Sequence, residues 1–258
     1  MTSWPQQRML NSCGTGPCRN SRRKTFSVGT EGIFLAVKTA RDKAYHEKNI
    51  TSPQIVVPAT AYPIWWQVGH YLNVEVVTIP ITSEFRADMA ALRAATTEDT
   101  TLIMGSAPGY AFGVMDPISE MSGLAQEFGV HLHVDACVGR YQLPFLRKLG
   151  RDVPEFDFSL PGVTSIGTDL HKYGYSAVGS SVLLYRNANI HKYQAFQFDG
   201  WRSGTWLNPA MLGSRPGGAV AAAWAVMKFL GASGYLELTR GVTATADLLR
   251  EVSRRFLG

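Results

Sequence analysis

Cysteine is scarce in this 258-residue chain, with only Cys13, Cys18 and Cys137. That is too few for a disulfide framework and favours a reducing compartment. Cys13 and Cys18 could form half of a metal site, but no second pair or nearby His completes it, so no metal centre is expected. No run of about 18 consecutive apolar residues occurs, and no spanning helix is expected. Internal repeats and low-complexity tracts are absent as well. Acidic residues are missing from residues 1–26, which carry Arg8, Arg19, Arg22, Arg23 and Lys24. The formal charge of +5 comes from that leader, because the remainder holds 20 basic and 20 acidic residues. A nucleic-acid footprint should spread over a folded face, so no nucleic-acid partner is expected.

What is present is ordinary globular composition, 45% hydrophobic and 17% charged, which excludes fibrous and disordered architectures for the chain as a whole. The leader, rich in Ser, Gly, Pro and Arg, shows neither helical nor strand period and reads as disordered; its composition also loosely fits a transit peptide. From Ser27 the pattern changes. Thr30 can cap a helix with apolar positions Ile33, Phe34, Val37, Ala40 and Ala44. Strands are expected at 55–57, 74–79, 101–105 and 131–135, alternating with helices at 63–71, 86–95 and 117–128. Such alternation is the signature of a parallel sheet. Two further strands, 162–167 and 181–185, flank a polar turn and are close enough in sequence to pair antiparallel. The end is helical, 218–230 and 235–256, broken at Gly231-Ala232-Ser233-Gly234.

Three clusters fall at strand or helix ends, where open α/β sheets place ligands. Val28-Gly29-Thr30-Glu31-Gly32 opens a helix, whose free N–H groups and dipole favour an anion, although such pairs also serve as simple caps. His131-Leu132-His133-Val134-Asp135-Ala136-Cys137 ends an apolar strand on an acid. Asp135 is costly there unless a cation or several donors meet it; a protonated pyridine nitrogen is one such cation, a structural salt bridge another. Thr168-Asp169-Leu170-His171-Lys172-Tyr173-Gly174-Tyr175 puts a lysine in a turn after a strand. In a semi-buried turn it can lose its proton and form a Schiff base with an aldehyde cofactor, although a single lysine also serves as a solvated charge. An anion cradle, an acid, and a His-Lys turn 37 residues later is the order expected for pyridoxal phosphate.

From about Ser27 onward the chain resembles the sphingosine-phosphate lyase branch of the pyridoxal-phosphate-dependent group II decarboxylases. The resemblance rests on SVGTEGIFLAVKTARD, HVDACVGRY, GVTSIGTDLHKYGYSAVGSSVLLY and GSRPGGAVAAAWAVMKFLGASGY. It implies an α/β fold, the large domain of a fold-type-I pyridoxal-phosphate enzyme, with a mixed, mostly parallel sheet and helices on both faces. It implies Lys172 as Schiff-base lysine, Asp135 as partner of the pyridinium nitrogen, and His133 as a further catalytic residue. Gly29, Thr30 and His171 would contact the cofactor phosphate. Gly213 and Ser214 match a loop that approaches the phosphate from a dimer partner. A homodimer, a small-molecule or lipid amine substrate, and an endoplasmic reticulum membrane or cytoplasmic location follow from the family. The wording HVDAC and HKYGY favours the lyase branch over amino-acid decarboxylases, which remain the alternative together with an inactive fragment.

The departures concern the same pocket. Tyr62 stands where the family stacks a His on the cofactor ring, and a tyrosine ring can also stack. Val178 replaces a Lys, Phe112 a His and Arg140 a Gly. If Val178 and Phe112 line the substrate end, contacts to a phosphorylated substrate are lost. Relatives usually carry a longer N-terminal arm and a C-terminal small domain. The chain is therefore expected to comprise a basic leader, 1–26, and a cofactor-binding large domain, 27–258, without the small domain.

Overall fold

The computed structural model describes residues 22–26 and 29–257. Seven strands form one sheet: β1 (Arg22–Phe26), β2 (Gln54–Pro58), β3 (Glu75–Ile79), β4 (Thr100–Ser106), β5 (His131–Asp135), β6 (Val163–Asp169) and β7 (Ser181–Tyr185), in the order β1-β7-β6-β5-β4-β2-β3. The five strands from β3 to β6 run parallel. β7 pairs antiparallel with β6 and with β1, so the close succession of 162–167 and 181–185 does produce an antiparallel pair. The sheet is mixed and mostly parallel, as expected. The leader reading is corrected at its end, because Arg22–Phe26 form an edge strand whose Phe26 faces Ser181. That pairing is long-range, and RRKTF carries no alternation to announce it. Residues 1–21, with Cys13, Cys18 and the transit-peptide expectation, lie outside the described residues.

Period-two alternation divides the strands between two cores. On one face Ile55, Val57, Leu102 and Met104 meet Ile33, Phe34, Val37 and Ala40 of α1 (Gly29–Lys48) and Trp65 and Val68 of α2 (Ile64–Leu72). On the other, Val56, Ile103, Leu132, Val134 and Ile166 meet Leu92 of α3 (Met89–Ala95) and Met121, Leu124 and Ala125 of α4 (Ile118–Phe128). Each parallel step thus returns through a helix, covering both sheet faces. Asp88 caps α3, accepting from the N–H groups of Ala90 and Ala91. Gly129 ends α4 in the left-handed conformation.

Three short elements follow: α5 (Leu143–Lys148), α6 (Ala188–His191) and a two-stranded ribbon of β8 (Phe196–Phe198) and β9 (Trp206–Asn208). The last helix, α7 (Gly218–Leu257), is interrupted at Gly231, whose φ of 56° breaks it where the Gly-Ala-Ser-Gly stretch was expected to. By length and composition Gly218–Phe256 is a candidate span, but the break at Gly231 divides it, and the expectation that the chain holds no spanning helix is not overturned. α7 docks on the domain through Tyr235, which is buried against Tyr141 and Phe145 and donates a hydrogen bond to the Gly174 carbonyl at 2.9 Å. Arg151, after α5, pairs with Asp247 of α7.

Leu132, on the central strand β5, is fully buried. Leu132→Ala should lower stability by about 2–5 kcal/mol, read from the urea midpoint. A loss well below 1 kcal/mol would contradict the packing described.

Candidate active site

Three parallel strands end side by side, at Ser106, Asp135 and Asp169, and the start of α1 comes to meet them. Between them lies a cavity of about 300 Å³, walled by Gly29, Thr30, Tyr62, Asp135, His171 and Lys172 among others. That size suits a small cofactor or ligand. Six of the residues singled out in the sequence therefore share one wall.

Asp135 is buried at the end of β5, and its Oδ1 accepts the Cys137 backbone N–H at 3.0 Å. Burial pushes its carboxyl above the ordinary range, the bond from Cys137 and the Lys172 charge oppose this, and neighbouring Asp169 adds to it. An acid so placed is stabilised by a nearby cation. Lys172 is half-buried, with Nζ 3.0 Å from Asp169 Oδ2. Burial disfavours its ammonium, but hydrogen bonds to Cys137 and Asp169 and the charge of Asp169 outweigh this, and the net shift is upward. Next to it, Tyr175 lies in the left-handed region at φ 55°, uncommon for a side chain of this size. His171 Nδ1 lies 3.3 Å from the Ser180 carbonyl, which can only accept, so that nitrogen carries the proton.

Gly29 is required by close approach. A Cβ there would lie 2.4 Å from Asp169 Oδ1. Thr30 falls inside the first turn of α1 rather than before it. Tyr62 presents a half-exposed ring to the cavity and meets Tyr110 edge-on at 5.9 Å.

The remaining positions lie outside this wall. His133 shares a strand face with Asp135 but sits two residues back from the strand end, roughly 7 Å deeper. It is fully buried beneath the cavity, its ring edge-on to Trp65 at 5.4 Å and its Nδ1 2.8 Å from Ser165 Oγ. Burial lowers its pKa to about 3, leaving a neutral ring with no atom in the wall. Gly213 and Ser214 are exposed and outside the wall; their stretch is tied to α1 by Glu31, which accepts the Met211 N–H at 3.0 Å. Val178 points to solvent, 75% exposed, and Phe112 stacks on Phe85 at 4.3 Å; neither lines the cavity. The substrate-end reading of those two positions does not hold within this chain.

Sequence reasoning assigned no role to Thr168, Asp169 or Ser181, all in the wall. Thr168 Oγ1 is buried without a hydrogen-bond partner, an acceptor or donor held ready beside the lysine turn. A helix start cleared by a glycine, an unpartnered hydroxyl, a buried acid and a lysine suit the phosphate, ring nitrogen and aldehyde of pyridoxal phosphate.

This sheet and this wall define the large domain of a fold-type-I pyridoxal-phosphate enzyme. The chain belongs to the family of the pyridoxal-dependent decarboxylase conserved domain, whose profile matches residues 32–255. Its cofactor is pyridoxal 5′-phosphate. The chain is 43% identical over 225 residues to the sphingosine-1-phosphate lyase of Arabidopsis thaliana, covering 87% of this chain and 41% of that protein. It is 40% identical to sphingosine-1-phosphate lyase 1 of Mus musculus, covering 87% and 39%. The solved sphingosine-1-phosphate lyase of Burkholderia pseudomallei K96243 superposes with a TM-score of 0.85 at 39% identity, covering 88% of this chain and 52% of that one. The chain thus spans about two-fifths of the length of these curated relatives.

Burial and the Asp135 charge raise the Cys137 thiol to about 12, Lys172 opposing. An unperturbed thiol titrates near pH 8.5. Iodoacetamide labelling of the Cys137 peptide should therefore still be rising with pH at pH 10. A plateau by pH 9 would show an ordinary thiol.

Proposed function

We propose that this chain is the cofactor domain of a pyridoxal-phosphate-dependent carbon–carbon lyase that cleaves a long-chain amine phosphate to a fatty aldehyde and phosphoethanolamine. The observation that carries the reading is the meeting of Asp135, Lys172 and the start of α1 on one cavity. Identity of about two-fifths to sphingosine-1-phosphate lyases supports the substrate class. When bound, the cofactor supplies an electron sink for the bond that breaks.

In this reading the N–H groups at the start of α1, with His171, hold the cofactor phosphate. Asp135, in a site that resists an isolated negative charge, keeps a proton on the ring nitrogen. Tyr62 covers a ring face and shields it from water. Lys172 Nζ is the amine that meets the aldehyde carbon, and it must first give up a proton. His133, without an atom in the cavity, supports the floor under Asp135 instead of exchanging protons with substrate.

Among the described wall residues only His171 and Lys172 are basic. A phosphate on the substrate therefore finds no third cation here, and this observation favours a second reading, an amino-acid decarboxylase, in which the same site releases an α-carboxylate. A relative at 33% identity, the probable L-tyrosine/L-aspartate decarboxylase of Methanothermobacter thermautotrophicus, supports that alternative. Product analysis separates the two: aldehyde in one case, carbon dioxide in the other.

We also infer a homodimer. Trp224 and Phe229 of α7 are 61% and 89% exposed, and Gly213 and Ser214 are exposed and outside the wall of this chain's own cavity. An apolar face of this kind marks an interface. Light scattering of the purified chain should show dimers or larger species, and a sharply melting monomer would contradict this.

Incubation with pyridoxal phosphate followed by borohydride should fix the cofactor on the peptide bearing Lys172. Fixation on another lysine, or none, would overturn the site. Asp135→Asn should retain part of the binding yet lose most turnover.

A further inference from the structure

Asp169 is the wall residue with the most partners and no assigned task. It ends β6 and faces Ser181 across the antiparallel ladder. Its side chain is buried and divides its oxygens between two structures. Oδ1 accepts from Ser181 Oγ at 2.5 Å and occupies the space that a side chain at position 29 would need. Oδ2 lies 3.0 Å from Lys172 Nζ and 3.8 Å from His171 Nε2. One carboxylate thus joins β7, the first residue of α1 and the lysine.

We propose that Asp169 is a positioning residue that holds Lys172 as an ammonium aimed into the cavity, and that this ion pair must open before Nζ can react. The inference rests on the proposed cofactor chemistry only for its consequence; the ion pair itself stands without it. A carboxylate oxygen 3.0 Å from a half-buried lysine favours the ammonium form of that lysine. An aldehyde carbon needs the neutral amine, so the pair sets the pH at which Lys172 becomes a nucleophile. The other titratable groups on the same cavity are Asp135 and Cys137 from the end of β5, His171 from the same turn, and Tyr62 and Tyr110; of these Cys137 and Asp135 interact with the lysine. Cys137 is held as a neutral thiol through the physiological range, and Asp135 is the acid matched to the cofactor ring. That leaves Asp169 as the carboxylate dedicated to the lysine.

The test uses the full chain without cofactor. Brief acetylation at a series of pH values, followed by peptide mass mapping, gives the labelling midpoint of Lys172, with exposed Lys228 as internal standard. In the wild type, the Lys172 midpoint should lie above that of Lys228. In Asp169→Asn, which keeps an acceptor for Ser181, it should fall by about one to three pH units. Labelling at a fixed pH on the rising limb should then be about tenfold faster or more. Asp169→Glu should restore the high midpoint. A wild-type midpoint at or below that of Lys228 overturns the proposal even if the Asn variant does not fold, and so does an unchanged profile in a folded Asn variant. Capture of pyridoxal phosphate, followed by its bound absorbance, should shift to lower pH in step. If no cofactor is captured at any pH while the labelling midpoint moves, the functional reading fails and the role of Asp169 stands.

Discussion

A lysine ammonium and two buried carboxylates share the ends of β5 and β6, and the rest of the site is arranged around satisfying them. Neither Asp135 nor Asp169 is placed where water can solvate it freely. Lys172 meets Asp169 directly, while Asp135 retains one backbone donor and a demand for positive charge. In the proposed reading a cationic ring nitrogen would meet that demand, which would make the acid both a cost to the fold and a reason to bind the cofactor.

The sheet makes this arrangement possible. Parallel pairing of β4, β5 and β6 aligns three carboxyl ends within adjacent ladders, and β7 then returns antiparallel so that Ser181 reaches Asp169. The two cores on either face fix the strands, and α1 enters so closely that a side chain at its first residue would displace the Asp169 carboxylate. Glu31, in the first turn, ties α1 to the stretch carrying Gly213 and Ser214. α7 is anchored near the same turn by Tyr235 on Gly174, which couples the final helix to the segment bearing the lysine.

Much of this was legible in the sequence. Long helices with apolar faces and β-branched runs announced the alternating fold, and the antiparallel β6–β7 pair followed from the shortness of its connection. The three clusters at element ends supply half of the wall. The failures are those of depth and distance. His131, His133 and Asp135 share a face by alternation, but alternation does not say how far a residue lies from the strand end, and His133 is buried below the cavity. Asp169 stood in the quoted lysine motif, yet its partner Gly29 is far away in the chain. α5 and the β8–β9 ribbon are too short to show a period, and β1 depends on a long-range pairing. Val178 and Phe112 were placed in the pocket from their motifs alone, whereas Val178 is exposed, Phe112 stacks on Phe85, and neither lines the cavity.

The central claim is that Asp135 holds a proton on the nitrogen of a bound pyridine ring. Nitrogen magnetic resonance of the protein loaded with ring-¹⁵N pyridoxal phosphate measures that proton directly. The account predicts a pyridinium shift that persists well above the pKa of the free cofactor and reverts to the neutral pyridine value in Asp135→Asn. A neutral ring in the wild type, or an unchanged pyridinium in the variant, would contradict it.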